Sequence, residues 1–371
     1  MDVTPYEIIF YVFAGATGII IIYILRWLIL LGKTKKHKPE KSIQPISVVI
    51  CAYNEEENLR RLVPVLLKQD HPNFEIIIVD DRSYDGTYDY LLELRDTEPK
   101  VKMVKVDHVP EHVNGKKYGI TLGIKAAKHD IVIFTDADCK PRNRKWLQAM
   151  SARFDNETTF VLGYSNYQKK KGLLNTLIRF ETLFTGIQYI AEALAGSPYM
   201  GVGRNLAYRK SFFLNNKGFN RHLKITGGDD DLFVNEFANN KNTKIASGIA
   251  TLVTSIPKAR WSEHFKQKRR HISVGKFYKK RDRLKIGLWG FLYVLHWFTL
   301  VFLLIAQFNL YWILGGYGLK ILLLLILLAV GAKKLGDKFA VWLLPILDIY
   351  YLVYLLWGVS VSFSRKKVKW K

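Results

Sequence analysis

Two aspartates separated by one residue, Asp136 and Asp138, end an apolar segment in the stretch IVIFTDADCKP. In an extended chain, residues two apart point to the same side, so both carboxylates can face one ligand. Mg²⁺ and Mn²⁺ favour such partial ligation by carboxylates, with water and phosphate oxygens in the other positions. The pair therefore predicts a divalent-cation site that neutralises a bound diphosphate. The alternative is a solvated loop, because Asp-x-Asp is common by chance.

Further acidic residues follow other segments of the chain. Asp80 and Asp81 end FEIIIVDD, where a carboxylate can accept hydrogen bonds from a nucleobase or a ribose. Asp229 and Asp230 lie in TGGDDDLF, ahead of a helical pattern. Three adjacent acids raise the pKa of at least one of them, which suits a general base. The alternative for this cluster is an acidic helix start favoured by the helix dipole.

The segments that carry these acids alternate between strand and helix patterns. The predicted strands are the apolar, β-branched runs ISVVICAY, FEIIIVDD, VKMVKVD and DIVIFTDAD. The predicted helices cover residues 55–69, 87–95 and 116–128, and Asn54 with Glu57 three residues later predicts an N-cap for the first. This alternation predicts an α/β fold with a parallel sheet covered on both faces. Ligands of such sheets bind beyond the carboxyl ends of the strands, where the acids lie.

The N-terminal segment is apolar over residues 6–31 and carries only Arg26 as a charge after Glu7, so it is long enough to cross a bilayer. A cleaved signal peptide would have a basic start and a shorter apolar core, so we expect a retained anchor. The basic run KTKKHK follows the anchor and predicts, by the positive-inside rule, a cytoplasmic middle region.

Three more apolar segments follow residue 286, and the second of them contains Lys320. Three crossings would place the basic tail SRKKVKWK outside, whereas one re-entrant or interfacial segment would keep it inside. The sequence leaves both topologies open. It predicts four regions: an anchor with a basic linker at 1–43, an α/β domain at 44–260, a basic juxtamembrane segment at 261–285, and C-terminal helices with a basic tail at 286–371.

The overall charge limits the classes of function. The 371 residues include 56 Lys and Arg against 32 Asp and Glu, which gives a net charge of +24. Such a balance suits nucleic acid, an anionic membrane face or phosphate-bearing ligands. Because the basic residues concentrate beside the apolar segments and no nucleic-acid recognition motif occurs, we predict no nucleic-acid partner.

The motifs together resemble one known family. CAYNEEENL, VDDRSYDGT, GKKYGITLGIKAA, TDADCKP, GVGRNLAYRK, GGDDDLF and QKRRH resemble, in order and spacing, a family-2 glycosyltransferase of the GT-A fold. The resemblance covers about residues 46–271. The flanking apolar segments resemble the membrane-embedded branch of cellulose- and hyaluronan-synthase-like enzymes. The resemblance implies a Rossmann-like GT-A domain flanked by transmembrane helices, in an inverting enzyme that uses nucleotide sugars.

The resemblance also implies a nucleotide pocket. Ala52, Tyr53 and Glu55 match the positions that line the base and ribose in the family. Asp81, together with Asp80, matches the position that holds a uracil-like base.

The reacting end of the site is implied in the same way. Lys116 would approach the donor phosphates, Asp136 would contact the ribose or the metal, and Asp138 would ligate Mg²⁺ or Mn²⁺. The catalytic base would be Asp229 or Asp230. The family's usual pattern is an acid pair, one spacer, an acid and then Leu. Counting back from the Leu favours Asp229, whereas counting GDD forward gives Asp230.

The acceptor end of the site is less well matched. Gln267 and Arg270 match the Gln-x-x-Arg-Trp motif of membrane synthases, but His271 replaces the Trp, which puts processive polymerisation in doubt. The alternative for residues 265–285 is a basic helix on anionic headgroups. The helical pattern at 172–194 suits either an interfacial helix that guides the acceptor or an ordinary core helix.

The resemblance therefore implies a metal-assisted, inverting glycosyltransferase in the inner or plasma membrane with a cytoplasmic catalytic domain. It would move a sugar from a nucleotide-diphosphate sugar to a lipid-linked or polysaccharide acceptor, with an Asp as general base. The alternative is a catalytically inactive glycan-binding or export subunit of a polysaccharide synthase complex.

Overall fold

A computed structural model describes residues 3–34 and 44–363 of the chain. Most of the basic run KTKKHK and the whole tail SRKKVKWK, on which the topology predictions depend, lie outside the described residues. The strands are β1 Ile46–Ala52, β2 Phe74–Asp81, β3 Val101–Val106, β4 Ile131–Phe134, β5 Cys139–Pro141, β6 Phe160–Gly163, β7 Ser165–Tyr167, β8 Leu206–Arg209, β9 Thr243–Ala246 and β10 Val253–Ser255.

The helices surround the strands and also extend away from them. They are α1 Pro5–Gly32, α2 Glu56–Leu67, α3 Thr87–Thr97, α4 Gly115–Ala126, α5 Trp146–Ser151, α6 Leu173–Leu194, α7 Lys210–Asn215, α8 Asp231–Phe237, α9 Trp261–Val274, α10 Lys280–Ile305, α11 Leu310–Leu335 and α12 Leu344–Phe363. The four longest apolar stretches coincide with α1, α10, α11 and the segment Val341–Ser362 that contains α12.

Seven strands form one mixed sheet in the order β3-β2-β1-β4-β8-β6-β9, and β5, β10 and β7 form a second, smaller sheet. Strands β1 to β4 are parallel neighbours, and their apolar side chains are buried on both faces. Helices α2 and α3 cover one face, and α4 covers the other. The predicted α/β fold and the parallel arrangement of these four strands are confirmed.

Beyond the four predicted strands the sheet is mixed, because β8 runs antiparallel to both β4 and β6. The first residue of β8, Leu206, pairs with Phe134, the last residue of β4. The chain therefore enters β8 from the carboxyl edge of the parallel strands, and the short turn Gly203–Asn205 lies at that edge. The four residues of β8 do not reveal the direction of the strand, which depends on the path of the preceding chain.

The predicted N-cap at Asn54 is also wrong. Helix α2 begins at Glu56, and no side chain caps it. Asn54 has a φ of 55°, a left-handed conformation that asparagine tolerates better than most residues. Its backbone N–H donates to Ser83 Oγ at 2.9 Å, and its side-chain oxygen accepts from the Tyr84 N–H at 2.9 Å. Asn54 therefore joins the loops that follow β1 and β2.

The apolar helices form a group beside the sheet. Helix α1 packs mainly on α10 and α11. Lys320 does not interrupt α11, which is continuous for 26 residues, because the Lys320 ammonium binds Asp348 of α12 at 2.9 Å. Helix α6 is buried along most of its length between this group and strands β7 and β9, as the core-helix alternative predicts.

The residues just before α12 and those near its end both contact the part of the protein that surrounds the sheet. Before it, Asp337 accepts hydrogen bonds from Tyr164 and Asn166 of the sheet region. Near its end, the Trp357 ring lies 5.1 Å from Phe265 of α9. A helix that crossed the bilayer would place its flanks on opposite sides. The contacts therefore favour the re-entrant or interfacial alternative for this segment.

Candidate active site

The Asp-x-Asp pair lies immediately after β4, at the carboxyl edge of the sheet. Oxygens of Asp136 and Asp138 and the Cys139 sulfur lie within 4.8 Å of one another. Asp138 Oδ1 accepts hydrogen bonds from Ser255 Oγ at 3.2 Å and from Cys139 Sγ at 3.3 Å. Burial, and then the charge of Asp136, raise the pKa of Asp138. Two crowded carboxylates of this kind fit Mg²⁺ or Mn²⁺, which would relieve their repulsion.

Lys116 joins two acidic segments that are far apart in the sequence. It lies in the first turn of α4, which Asn114 caps by accepting from the Lys117 N–H. Lys116 Nζ lies 3.2 Å from Asp136 Oδ1 and 3.1 Å from Asp229 Oδ2. Burial alone would lower the pKa of Lys116, but Asp136 and Asp229 outweigh burial and hold the pKa well above its ordinary value. The ammonium is therefore a fixed positive charge in this pocket.

The neighbouring lysine has a different role. Lys117 is fully buried, and its Nζ donates to the carbonyl oxygens of His222 at 2.7 Å and Ile225 at 2.8 Å. Burial lowers the pKa of Lys117 to about 8. Lys117 thus holds the loop that leads to the acidic cluster, whereas Lys116 faces the pocket.

The three adjacent acids differ in their contacts. Asp230 Oδ2 accepts from the Gly203 N–H at 2.7 Å, and its Oδ1 accepts from the Asp231 N–H at 3.0 Å, at the start of α8. Burial, and then the charge of Asp229, raise the pKa of Asp230. Asp231 faces away from the pocket and accepts a hydrogen bond from Tyr278. Asp229 contacts Lys116 through its Oδ2.

The glycine directly before these acids, Gly228, stands where a larger side chain would collide with its neighbours. Gly228 has a φ of +70°, and a Cβ at this position would lie 2.8 Å from Leu232 and Val274. An acid, which the family usually has at this position, would not fit. Val274 belongs to α9, so this helix rests directly on the acidic loop.

The predicted nucleotide residues lie next to this pocket. Asp81 Oδ1 accepts from Arg82 Nε at 2.8 Å, and a Cβ on Gly115 of α4 would lie 3.1 Å from Asp81 Oδ2. Asp81 is therefore adjacent to Lys116. The Tyr53 and Tyr84 rings are 6.0 Å apart with an edge-to-face geometry.

Three members of the predicted nucleotide pocket differ in burial and contacts. The Ala52 side chain is fully buried among the apolar residues beneath the sheet, and its place in the pocket lining stays a prediction. Glu55 is half-buried and accepts a hydrogen bond from Asn58 at 2.6 Å. Asp80 is buried, and its Oδ1 accepts from the Ser83 N–H at 3.3 Å.

The predicted acceptor residues lie on α9. A Cβ on Gly227 would contact Arg270, so this arginine lies against the acidic loop. Gln267 is half-buried, and His271 is exposed. Lys268, on the same helix, binds Glu181 of α6 at 2.7 Å. Helix α9 thus connects the acidic loop with the apolar helices.

The pocket contains residues that the sequence did not single out. Cys51, Thr135, Gly203 and Tyr208 line it together with Lys116, Asp136, Asp229 and Asp230. The Thr135 hydroxyl is buried and has no hydrogen-bond partner. Thr135 and Gly203 both lie inside the motifs TDADCKP and GVGRNLAYRK, so those motifs were the available signal.

A Rossmann-like sheet with paired acids after a central strand and a second acidic cluster across one pocket defines the GT-A class of nucleotide-sugar enzymes. The family model for glycosyl transferase family 2 matches residues 47–215. The model for glycosyl transferase family group 2 matches residues 132–358, which is more than half of the chain. The chain therefore belongs to the family-2 glycosyltransferases.

The chain also resembles curated relatives. It is 32% identical over 179 residues to 4,4'-diaponeurosporenoate glycosyltransferase of Staphylococcus haemolyticus, covering 46% of each chain. It is 27% identical over 137 residues to UDP-Glc:alpha-D-GlcNAc-diphosphoundecaprenol beta-1,3-glucosyltransferase WfaP of Escherichia coli, covering 35% of this chain and 49% of the relative. The chain spans less than half of the length of these relatives.

One solved structure shares the fold over almost the whole chain. The mannosyltransferase PcManGT from Pyrobaculum calidifontis, in complex with GDP-Man and Mn²⁺, aligns with a TM-score of 0.63 over 98% of this chain and 99% of that chain. Its sequence identity is 16%, so the likeness concerns the fold. The predicted family and the GT-A fold are confirmed, whereas the cellulose- and hyaluronan-synthase branch stays a prediction.

Proposed function

We propose that this protein is an integral membrane, inverting glycosyltransferase that moves a sugar from a nucleoside-diphosphate sugar to a lipid-linked or polysaccharide acceptor. The observation that carries this proposal is the Lys116 ammonium, which holds Asp136 of the Asp-x-Asp pair and Asp229 of the acidic loop in one pocket. A cation-binding pair, a phosphate-binding cation and a candidate base are thus together at the ligand edge of the sheet.

The nucleotide base of the donor would lie near Asp81, and its diphosphate would lie near Asp138. Asp80 and Asp81 would accept hydrogen bonds from the base, and Tyr53 would flank it. Lys116, at the N-terminal turn of α4, would bind the diphosphate, since a helix start adds backbone N–H groups that favour anions. Asp136 and Asp138 would hold Mn²⁺ or Mg²⁺, and this ion supplies the charge that stabilises the departing diphosphate.

The acceptor would be activated by Asp229. Burial would raise the pKa of Asp229, but the Lys116 charge outweighs burial and lowers it, so the carboxylate is ionised at neutral pH. The raised pKa of Asp230 suits a base, but backbone N–H groups occupy both of its oxygens. Asp229 would accept the acceptor hydroxyl proton as that oxygen attacks the anomeric carbon opposite the diphosphate. A single displacement of this kind inverts the anomeric centre.

A lipid-linked acceptor is supported by the position of α9. This helix contacts the acidic loop through Val274 and contacts α12 through Phe265. Helix α9 therefore links the acidic loop to the apolar helices. The names of WfaP and of undecaprenyl-phosphate 4-deoxy-4-formamido-L-arabinose transferase of Aeromonas hydrophila, which is 36% identical over 99 residues, covering 26% of this chain and 29% of that protein, include lipid carriers. We place the catalytic domain on the cytoplasmic face of the inner membrane, where nucleotide sugars are available.

The proposal is tested with full-length protein in detergent. The protein is incubated with a panel of nucleotide sugars and Mn²⁺ or Mg²⁺, and released nucleoside diphosphate is measured. We expect release from at least one donor, and a loss of at least about 100-fold in Asp138→Asn, because a direct ligand contributes more than the groups that only orient it. Asp130→Asn is the control, because Asp130 directly precedes β4 and so lies at the opposite edge of the sheet from the pocket. No release from any donor would favour the inactive-subunit alternative.

A further inference from the structure

Arg204 follows Gly203, which lines the pocket, and carries a positive charge that the proposed mechanism does not use. It lies in the turn Gly203–Asn205, directly before β8. Its guanidinium lies over the Tyr167 ring, 4.3 Å from the ring centroid. Stacking of this kind holds an arginine at a defined position and leaves its N–H groups free for a ligand.

The backbone on both sides of Arg204 is fixed. The Gly203 N–H donates to Asp230 Oδ2 at 2.7 Å. Asn205 is fully buried; its Nδ2 donates to the carbonyl oxygens of Tyr164 and Thr251 at 2.7 Å, and its Oδ1 accepts from Trp146 at 3.0 Å. Arg204 is therefore held between the acidic loop and the second sheet.

The surroundings of Arg204 are acidic, but its charge is not neutralised by a direct contact. Burial alone would lower the pKa of Arg204, but Tyr167, Cys139, Asp138 and Asp136 outweigh it and raise the pKa. Among the described residues, no carboxylate lies within 4.0 Å of its guanidinium. Its Nη1 is inaccessible to solvent and has no hydrogen-bond partner. A buried charged donor without a partner is costly, so its retention indicates a ligand.

We propose that Arg204 is a substrate-binding residue for the diphosphate of the donor. This inference rests on the proposed function and assigns a role to a residue that the proposed mechanism does not include. Lys116 contacts Asp136 and Asp229, whereas Arg204 stacks on Tyr167, whose partner across β10, Ser255, donates a hydrogen bond to Asp138. A diphosphate at the Asp-x-Asp pair would have one cation on each side, and a guanidinium can bind two phosphate oxygens at once.

The balance of the reaction agrees with this role. The bond between the anomeric carbon and the diphosphate oxygen breaks, and its electron pair remains on that oxygen. The acceptor oxygen forms the new bond, and its proton passes to Asp229. Negative charge thus develops at the phosphate that Arg204 would contact, where a preorganised donor stabilises the transition state.

The test is the binding of inorganic pyrophosphate in the presence of Mn²⁺, measured by calorimetry on the full-length protein in detergent. We expect Arg204→Ala to weaken pyrophosphate binding about 10- to 100-fold, which corresponds to the loss of a charged hydrogen-bonding group. Arg204→Lys should recover part of the loss, because it restores the charge without the two-pronged geometry. Tyr167→Leu should weaken binding less than Arg204→Ala, and Tyr167→Phe should leave it unchanged.

Arg144→Ala is the matched control, because it removes an exposed arginine that binds Asp70 on the surface. If Arg204→Ala binds pyrophosphate as wild type does while its unfolding temperature falls, the arginine is structural and the inference is wrong. If wild-type protein binds no pyrophosphate with Mn²⁺ and releases no nucleoside diphosphate from any donor, the proposed function fails as well. Wild-type release with unchanged binding in Arg204→Ala and Arg204→Lys overturns the Arg204 role alone.

Discussion

Two clusters of lysine and aspartate, one partly buried and one fully buried, lie in different parts of this molecule. At the sheet edge, Lys116 contacts Asp136 at 3.2 Å and Asp229 at 3.1 Å. Among the apolar helices, Lys320 contacts Asp348 at 2.9 Å, and both side chains are fully buried. Each cluster joins segments that are distant in the sequence, and each would be expensive to bury without a partner.

The cluster between the helices is balanced. One lysine faces one aspartate, and Asp348 also accepts a hydrogen bond from Tyr293. The Lys320 ammonium lies 4.7 Å, 5.3 Å and 5.0 Å from the ring centroids of Tyr293, Trp297 and Tyr317. Charge and hydrogen bonding are satisfied within the protein, so this cluster fixes α11 against α12.

The cluster at the sheet edge is not balanced. Lys116 faces more carboxylates than it can neutralise, and the Thr135 hydroxyl beside it has no partner. Acids that repel each other in this way favour the binding of a cation from outside the chain. The comparison shows that a buried ion pair does not by itself indicate a ligand-binding site. Charged groups that lack an opposite charge within the protein do indicate one.

The largest expected effect tests the unbalanced cluster. Asp229→Asn should lower glycosyl transfer by up to about 10⁴-fold, since it removes the proposed base, and should leave donor binding nearly intact. The measurement is product formation against donor affinity in the same preparation. Asp230→Asn is the matched variant. If Asp229→Asn stays active and Asp230→Asn does not, the base is Asp230.

The next effect tests the balanced cluster and should concern stability. Asp348→Ala leaves a buried ammonium without its carboxylate, which costs about 3–5 kcal/mol when one partner of a buried pair is removed. We expect a lower unfolding temperature in detergent, with donor affinity unchanged in the folded fraction. The double variant Lys320→Met with Asp348→Leu should recover most of the loss. A single variant as stable as wild type would contradict the structural role of this pair.

The smallest expected effect is on the pH dependence of stability, which should differ between the two adjacent lysines. The pKa of Lys117 is about 8 in the folded protein, below its ordinary value of 10.5. Between these values the unfolded chain binds the proton that the folded protein has released, so stability from this group rises with pH over about 8 to 10.5. Below pH 8 both states are protonated, and the penalty of the buried charge is complete.

Lys117→Met should remove this rise. The measurement is the difference in unfolding temperature between wild type and variant at several pH values from 7 to 10.5. Lys116→Met, tested in parallel, should not remove it, because carboxylates hold the pKa of Lys116 above that range. An unfolding-temperature difference that is independent of pH would show that Lys117 is not the titrating group.

The sequence predicted those parts of the site that local pattern determines. Apolar runs that end in acids identified β2 and β4, and the Asp-x-Asp spacing predicted two carboxylates that lie close together. The contact between Lys116 and Asp229 was beyond reach, because 113 positions separate them and nothing local connects α4 to the acidic loop. The direction of β8, and with it the place of Arg204, depends on the path of the chain rather than on the four residues of that strand.

The same limit applied among the apolar helices. Lys320 looked like an interruption of a span, because its partner lies on another helix. Only the packing of α11 against α12 places Asp348 beside it.

The flanks of α12 have a consequence for the orientation of the whole chain. If that helix returns to the face it left, the chain crosses the bilayer an even number of times between the catalytic domain and the end of α12. Both would then share a compartment, and the basic residues of α9, which contacts α12 through Phe265, would meet the anionic leaflet nearest the active centre. The enzyme would be drawn by charge to the very surface on which a lipid-borne acceptor presents its sugar.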